Sequence, residues 1–269
     1  MRLLKLQRPE GDERTGVFAS GIISTGEGRK IALFFNGREH AGENLATVLK
    51  RRATELSSPI QMCDALSRNA PKLPAGVEIL LANCLAHGRR QFTDVALNFP
   101  VECRYVLEML GQVYGYDAEV REHRLAPDER PRFHHEHRGP VMDRLHQWLE
   151  AQLAEKRTEP NSGLGKAITY LLRHWRPLTT FLREAGAPLD NKIVERSLKR
   201  AILHRKNALF YRTLNGAQVD DLFMNLIHLP VMRRQQLRLS DPASTSQPGT
   251  GGLSGRMDAV ELSLDAHAD

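Results

Sequence analysis

Two acidic residues have surroundings that suit metal chemistry. Glu195 lies in the basic segment "LDNKIVERSLKRAILHRKNALF", which holds six Lys or Arg residues and only two acids. Asp64 ends the short apolar segment "PIQMCD", and α/β sheets usually place functional groups at the carboxyl ends of their strands. Carboxylates brought together from a strand end and a helix bind Mg²⁺ while leaving positions open for a substrate phosphate. The pair predicts phosphodiester chemistry.

The basic segment has the pattern of an amphipathic helix. At about 100° per residue, Glu195 falls on the border between the apolar and the basic face. A polyanion on the basic face would therefore lie close to this carboxylate. The basic arc consists of Lys192, Arg196, Lys199 and Arg200, and the apolar arc of Val194, Leu198, Ala201 and Ile202.

Each acid also has a simpler interpretation. Glu195 and Lys199 have the spacing of an ordinary surface pair on a helix, which stabilises by a few tenths of a kcal/mol. An Asp at a strand end is common because its side chain favours turns. Only the two residues together point to a metal site.

The amino-terminal part of the chain predicts a small sheet. Two short segments rich in Val, Ile and Phe, separated by "TGEG", predict an antiparallel hairpin. A helical pattern follows, and then two short apolar segments that predict strands. The predicted elements are the strands Thr15–Ser24 and Arg29–Asn36, the helix His40–Leu56, the strand in "PIQMCDA" and the strand Val77–Ala82.

From Leu85 onward the patterning is helical, with a charged break at "REHRLAPDERPRFHHEHRGP". The order of strands and helices predicts an α/β or α+β fold with a helical insertion. After Leu239 the sequence is rich in Ser, Pro and Gly, which predicts a disordered tail. The predicted helices are Val101–Tyr116, Val141–Lys156, Leu164–Arg183, one beginning near Asp190, and Gln218–Ile227.

Composition narrows the class of protein. The 269 residues carry a formal net charge of +6, concentrated in the basic segment, which fits a nucleic-acid partner. No apolar run reaches the roughly 18 residues of a membrane span, and the amino terminus has no signal-peptide pattern. Three cysteines give no disulfide framework. These features predict a cytoplasmic, nucleoid-associated protein without a membrane partner.

A second group of residues has the types that bind zinc. Four residues, "HHEH" at His134–His137, combined with Cys84 and His87 offer ligands for zinc. Their spacing is not that of a zinc finger, and a charged, exposed segment explains the histidines equally well. A zinc-binding interaction protein is therefore a separate hypothesis.

Five ordered motifs resemble those of insertion sequence 66 type transposases. They are "PIQMCDALSRN", "NCLAHGRRQF", "EPNSGLGKAITYLLRHW", "LDNKIVERSLKRAILHRKNALFYRTLNGA" and "LFMNLIH". The resemblance covers about Arg14 to His228. It implies a ribonuclease-H-like α/β core with a long all-helical insertion before the final catalytic helix.

The resemblance also implies an activity, namely metal-dependent cleavage and transfer of DNA strands by two Asp and one Glu. The second Asp of that triad falls on Asp64 and the Glu on Glu195, which would hold Mg²⁺ or Mn²⁺. Insertion-sequence ends and target DNA are the implied partners, together with self-association or other transposase subunits. The expected DNA-backbone contacts are Arg89, Arg90, Arg196, Lys199, Arg200, Arg205 and Lys206.

The sequence departs from the family pattern in two places. Lys192 stands where the family has a second Asn. The first Asp of the triad would precede Met1, so we expect an incomplete core, a first strand that is largely missing, and weak activity of a truncated remnant.

A non-catalytic, DNA-binding regulatory fragment is the alternative function. The expected divisions are a partial sheet with the first helix at 1–84, the helical section at 85–185, the final catalytic and closing helices at 186–230, and the tail at 231–269.

Overall fold

A mixed β-sheet with helices on both faces is the centre of one part of the chain. The chain divides into two units, of which one joins Met1–Leu80 to Asn191–Asp269 and the other is Leu81–Asp190. Among the described residues, none of the helices is both long and apolar enough to span a bilayer. The computed structural model describes residues 18–26, 29–53, 56–122, 129–207, 213–239 and 259–262.

The sheet begins with a hairpin. Strand β1 (Phe18–Gly26) pairs antiparallel with β2 (Arg29–Gly37), and Phe18 lies opposite Gly37. Two four-residue strands follow in the chain, β3 (Ile60–Cys63) and β4 (Leu80–Asn83). The fifth strand, β5 (Ala259–Leu262), is antiparallel to β1 and parallel to β3. The spatial order is β2-β1-β5-β3-β4.

Helix α1 (Ala41–Leu49) covers one face of this sheet. The helix begins with a capping box, in which the His40 backbone N–H donates to Glu43 at 2.7 Å. Its apolar side packs into a buried cluster that joins Ile22 of β1, Leu45 and Cys63 of β3. Burial of this cluster fixes which face of each strand points toward α1.

Helix α7 (Lys192–Asn207) covers the opposite face. Val194 and Leu198 pack against Ala19 and Ile23 of β1 in a second buried cluster. Gly21 lies between those two strand residues, and a Cβ at Gly21 would be 3.5 Å from Val194 Cγ1. The first turns of α7 therefore lie directly over the middle of β1.

Helix α8 (Leu214–Leu239) covers the outer edge of the sheet. It begins where Thr213 Oγ1 accepts a hydrogen bond from the backbone N–H of Gly216. Asn225 and Asp221, one turn apart, accept the backbone N–H groups of Phe34 and Asn36 on β2, both at 2.7 Å. Unpaired edge groups favour unwanted strand pairing, and α8 satisfies these two.

The second unit is a helical bundle. Its buried residues, including Phe92, Leu110, Leu145 and Ile168, form one apolar cluster. The helices are α2 (Leu85–Thr93), α3 (Pro100–Glu122), α4 (Glu129–Ala154), α5 (Gly163–Arg173) and α6 (Trp175–Leu178).

Two helix boundaries predicted within this unit were wrong. The predicted charged break instead contributes the first turns of α4, which continues through Pro140. Packing explains this, because Arg138 is buried, donates to Asp117 at 2.8 Å and lies over the Phe181 ring. The predicted helix Leu164–Arg183 instead ends at Arg173, since Pro177 has no N–H to donate to the Arg173 carbonyl.

The carboxyl-terminal part also differs from prediction. Helix α8 is longer than the predicted Gln218–Ile227 and ends at Leu239. Residues 259–262, which were predicted to belong to a disordered tail, form a strand inside the sheet. Their Ala-Val-Glu-Leu sequence is too short to signal a strand by itself, and pairing with β1 and β3 on both sides decides the conformation.

The contact between α8 and β2 predicts a pH-dependent stability. Burial raises the pKa of Asp221 to about 7, although the hydrogen bonds from Asn36 partly oppose this. Between about pH 4 and 7 the folded protein therefore keeps a proton on Asp221 that the unfolded chain has lost, and the contribution of this group to stability falls as pH rises. Asp221→Asn has no such proton to lose. We therefore expect its free energy of unfolding to rise relative to that of the wild type as the pH increases from about 4 to 7.

Urea denaturation from pH 4.5 to 7.5 measures this difference. Glu39→Gln, at an exposed position of the same unit, is the control and should leave the pH dependence unchanged. A constant difference between Asp221→Asn and the wild type would contradict the prediction.

Candidate metal and nucleic-acid site

Asp64 directly follows β3 and is buried, with 4% of its surface exposed. Its Oδ1 accepts a hydrogen bond from the amide of Asn69, and the backbone N–H of Leu66 lies 3.4 Å away. Asn69 belongs to the short 3₁₀ turn Ser67–Asn69, and its carbonyl accepts from Gln61 at 2.7 Å. The loop after β3 therefore folds back and holds the carboxylate in position.

Glu195 lies in the first turn of α7 and is partly exposed. The carbonyl of Asn191, which is buried, accepts the backbone N–H groups of Val194 and Glu195 at 3.1 and 3.2 Å. The apolar neighbour Val194 is fully buried against the sheet. Glu195 is thus fixed at the boundary between the buried face of the helix and solvent, as the helical pattern predicted.

The strand register relates the two carboxylates. Ile23 of β1 and Met62 of β3 lie opposite the same residue of β5. Asp64 lies two residues beyond Met62 in β3. Because β1 runs in the opposite direction, the residue of β1 at this level is Gly21, two residues before Ile23. Gly21 lies under Val194. Asp64, just past the carboxyl end of β3, is thus level with Gly21 of β1, two strand spacings or about 10 Å apart. The first turn of α7, which carries Glu195, lies over this level of the sheet.

Basic residues continue from this point along α7. Arg196 and Lys199 are exposed, so they are accessible to a polyanion beside the first turn. Three further predicted DNA contacts, Arg200, Arg205 and Lys206, lie on the same helix, and their side chains fall outside the described residues. The described part of α7 therefore has a carboxylate and two accessible cations within two turns.

In the second unit, α2 carries the other two predicted DNA contacts. Arg89 and Arg90 are both exposed on this helix. Cys84 precedes the helix and is buried, and His87 lies within its first turn. The two arginines are therefore accessible on the surface of this helix.

The predicted zinc set is not assembled. The His134–His137 segment is helical, and His137 stacks on Phe133 with ring centroids 4.1 Å apart. Within the described ranges, none of these histidines has two further His, Cys or carboxylate ligand atoms at metal-binding distance. The histidines of this segment lie along a helix with aromatic neighbours, and zinc binding stays a prediction.

Asn69 was not predicted from the sequence as a residue of this site. It is fully buried and donates to Asp64, but an Asn five residues after an Asp has no recognisable spacing. Its only signal is its place in a Ser-Arg-Asn turn, which is typical of any loop.

The family model described as "Transposase IS66 family" matches residues 16–219. The chain belongs to this family. The match includes both carboxylates and the basic segment of α7, which confirms the resemblance of the sequence motifs.

Three relatives of this IS66 family chain come from Sinorhizobium fredii (strain NBRC 101917 / NGR234) and are described as uncharacterized proteins. The protein y4jD is 34% identical over 151 residues, which are 55% of this chain and 28% of y4jD. The proteins y4hP and y4qI are 28% and 26% identical, over 56% and 57% of this chain and 29% and 28% of their own lengths. The matched region thus spans less than a third of these relatives. No solved structure matches the chain.

The hydrogen bond between Asn69 and Asp64 predicts a specific coupling. Asn69→Ala removes the amide donor from a buried carboxylate, and we expect it to lower the free energy of unfolding by about 1–3 kcal/mol. In an Asp64→Ala background the same change should cost less, because no carboxylate is left without its donor.

Urea denaturation of the two single variants and the double variant measures this coupling. Ser67→Ala, in the same 3₁₀ turn but exposed, is the control. Equal costs of Asn69→Ala in both backgrounds would show that the amide does not stabilise the carboxylate.

Proposed function

We propose that this chain forms the catalytic core of a DDE-type DNA transposase, which cleaves and joins DNA strands during transposition of an insertion sequence. The observation that carries the proposal is the placement of two carboxylates in one unit. Asp64 lies at the end of β3, and Glu195 lies in the first turn of the helix that covers β1 at the same register level. Family membership supports it independently.

The fold supports the same proposal. We assign the sheet to a ribonuclease-H-like core because an antiparallel hairpin and a parallel pair share one sheet with helices on both faces. The bundle at Leu81–Asp190 is the helical insertion before the final catalytic helix, α7. Within the first unit, the basic helix α7 packs on the sheet that carries Asp64, which supports the proposal.

The residues present fit a divalent metal. Asp64 and Glu195 supply carboxylate oxygens, which are the donors that Mg²⁺ and Mn²⁺ prefer. When bound, such an ion activates the attacking oxygen and stabilises charge on the phosphate. Asn69 restricts Asp64 to one orientation, while the buried Val194 fixes the direction of Glu195. These contacts preorganise the two carboxylates before the metal arrives.

The cations of α7 and α2 have a separate role. In this proposal Arg196 and Lys199, which are exposed, hold the phosphate backbone near Glu195, and the exposed Arg89 and Arg90 of the second unit are further backbone contacts. Contacts of this kind position DNA without reading its sequence. The substrate implied is double-stranded DNA carrying the ends of an insertion sequence, which places the work of the protein at the bacterial nucleoid.

Self-association is part of the proposal. The outer side of α8 exposes several large apolar residues, in contrast to the side that covers β2. A stripe of this kind suits a contact with another transposase subunit. It consists of Val219, Leu222, Phe223, Leu226 and Ile227.

Strand cleavage tests the catalytic proposal. With Mg²⁺ or Mn²⁺ and a linear duplex ending in the terminal repeats that flank the gene, we expect small amounts of nicked and joined products on a denaturing gel, because the core is expected to be incomplete. Asp64→Asn and Glu195→Gln should each reduce product about 100-fold or more, because each removes a charge that stabilises the transition state. Glu78→Gln, exposed in the same unit, is the matched control. Product that survives both carboxylate changes would overturn the proposal.

DNA binding tests the proposed role of the cations. The double variant Arg196→Gln/Lys199→Gln should bind a duplex more weakly, and its log affinity should depend less steeply on log salt, by about one unit for each lost phosphate contact. Lys72→Gln, at an exposed position of the same unit, should bind like the wild type. Fluorescence anisotropy at several salt concentrations measures both quantities. Binding without any cleavage by the wild type would instead favour a regulatory, non-catalytic fragment.

A further inference from the structure

A segment of the second unit carries positive charge without any acid. The segment runs from Pro160 to Arg183 and includes α5 and α6. Acids make up 32 of the 269 residues, so a segment of this length would carry about three, and this one carries none. Its charge therefore has no compensation within the segment itself. The cations are Lys166, Arg173, Arg176 and Arg183.

The cations of α5 lie on one face of the helix. The other side of α5 packs into the apolar cluster of the second unit. At about 100° per residue, Lys166, Thr169, Tyr170 and Arg173 fall within an arc of about 100°. Lys166, Thr169 and Arg173 are exposed, whereas Tyr170 is half-buried. The helix thus presents two cations to solvent on the side away from the core, and the exposed Arg176 of α6 follows them.

These cations are not explained by local ion pairs. Lys166, Arg173 and Arg176 have no carboxylate at ion-pair distance within the described part of the chain. Burial lowers the pKa of the neighbouring His174, and the charge of Arg173 lowers this pKa further. Like charges close together destabilise a fold when no opposite charge is near. Stability therefore does not account for this surface.

Helix α2, which packs against α5, has the same character. The two helices approach closely, because a Cβ at Gly88 would lie 2.7 Å from Leu171 Cδ2. Helix α2 also contains no acid, and Arg89 and Arg90 are exposed on it. Two helices in direct contact thus carry exposed cations without carboxylates of their own.

The composition of this surface fits a nucleic acid better than a protein partner. The central residues of protein interfaces are large apolar or aromatic side chains. Among the described residues of α2, α5 and α6, none is an exposed large hydrophobic residue. A polar face with several accessible cations instead suits the regular negative charge of a phosphate backbone.

We propose that the exposed face of α5 and α6 is a second DNA-binding surface, which contacts the phosphates of double-stranded DNA through Lys166, Arg173 and Arg176. Arg89 and Arg90 of α2 extend it. Contacts of this kind hold a duplex without reading its sequence. The inference rests on DNA being the substrate in the proposed function, and it goes further by assigning a surface distinct from the carboxylates and from the cations of α7.

Duplex binding by the whole chain tests this surface. Lys166→Gln/Arg173→Gln should bind at least about fivefold more weakly, and the slope of log affinity against log salt should fall by about two, one for each lost phosphate contact. Arg104→Gln/Arg144→Gln removes the same charge from exposed positions of α3 and α4 and should keep the slope of the wild type. Fluorescence anisotropy measures both quantities, and circular dichroism checks that each variant is folded.

The outcomes separate this inference from the proposed function. If Arg196→Gln/Lys199→Gln weakens binding while Lys166→Gln/Arg173→Gln does not, DNA binding by α7 stands and this inference is wrong. Equal losses in the control variant would also overturn it, because net charge alone would then explain the effect. If the wild type binds no duplex, the proposed function and this inference both fail.

A tethered cleavage reagent tests the location of the DNA directly. Thr169→Cys places a thiol between Lys166 and Arg173 on the same face, while the three native cysteines are buried and shielded from the reagent. Iron–EDTA attached to this thiol should cut a bound duplex by generating hydroxyl radicals nearby. Gln112→Cys, at an exposed position of α3, is the matched control. Absence of cuts from the Thr169→Cys variant, or equal cutting by both variants, would overturn the inference even if the salt dependence agreed.

Discussion

The backbone pairing of β5 is the interaction on which the first unit depends. The hairpin β1–β2 and the parallel strand β3 have β5 between them, so the sheet is continuous only through residues 259–262. Each strand carries N–H and C=O groups that must find partners once they are removed from water. A segment distant in sequence supplies those partners for both β1 and β3. Because the segment is far along the chain, loop closure adds an entropic cost that local pairing does not have.

The same requirement explains the position of α8. The outer edge of β2 has backbone donors at Phe34 and Asn36, and two side chains one helical turn apart on α8 accept them. Side chains of this helix thus supply the acceptors that the backbone of a further strand would otherwise supply. Burial of Asp221 in this contact raises its pKa. The free energy of unfolding therefore depends on the protonation of this residue.

The carboxylates depend on the packed sheet in different ways. Asp64 is positioned by its own loop, in which Asn69 and the backbone near Leu66 surround the carboxylate. Glu195 is positioned by the opposite side of its helix, where Val194 and Leu198 are buried against β1. Polar contacts thus fix Asp64, whereas apolar packing fixes Glu195. A change in the core under α7 would therefore move Glu195.

Local patterns predicted several elements correctly. The alternating apolar residues of the hairpin specify β1 and β2, and the two arcs of α7 identify the buried position of Val194 and the exposed positions of Arg196 and Lys199. These predictions succeed because hydrophobic periodicity is a property of the segment itself. Asp64 and Glu195 were recognisable for the same reason, since each stands at the end or border of such a pattern.

The sequence by itself determined the hairpin and the basic helix, and it predicted Asp64 and Glu195 as candidate metal ligands. Only the tertiary structure decided that Arg138 and Asp117 would stabilise a helix across a charged segment, that Asn69 would hold Asp64, and that residues 259–262 would join the centre of the sheet. The physical reason is common to all three. Their partners lie elsewhere in the folded chain, and a hydrogen bond or strand pairing between such groups leaves no periodic trace in either segment.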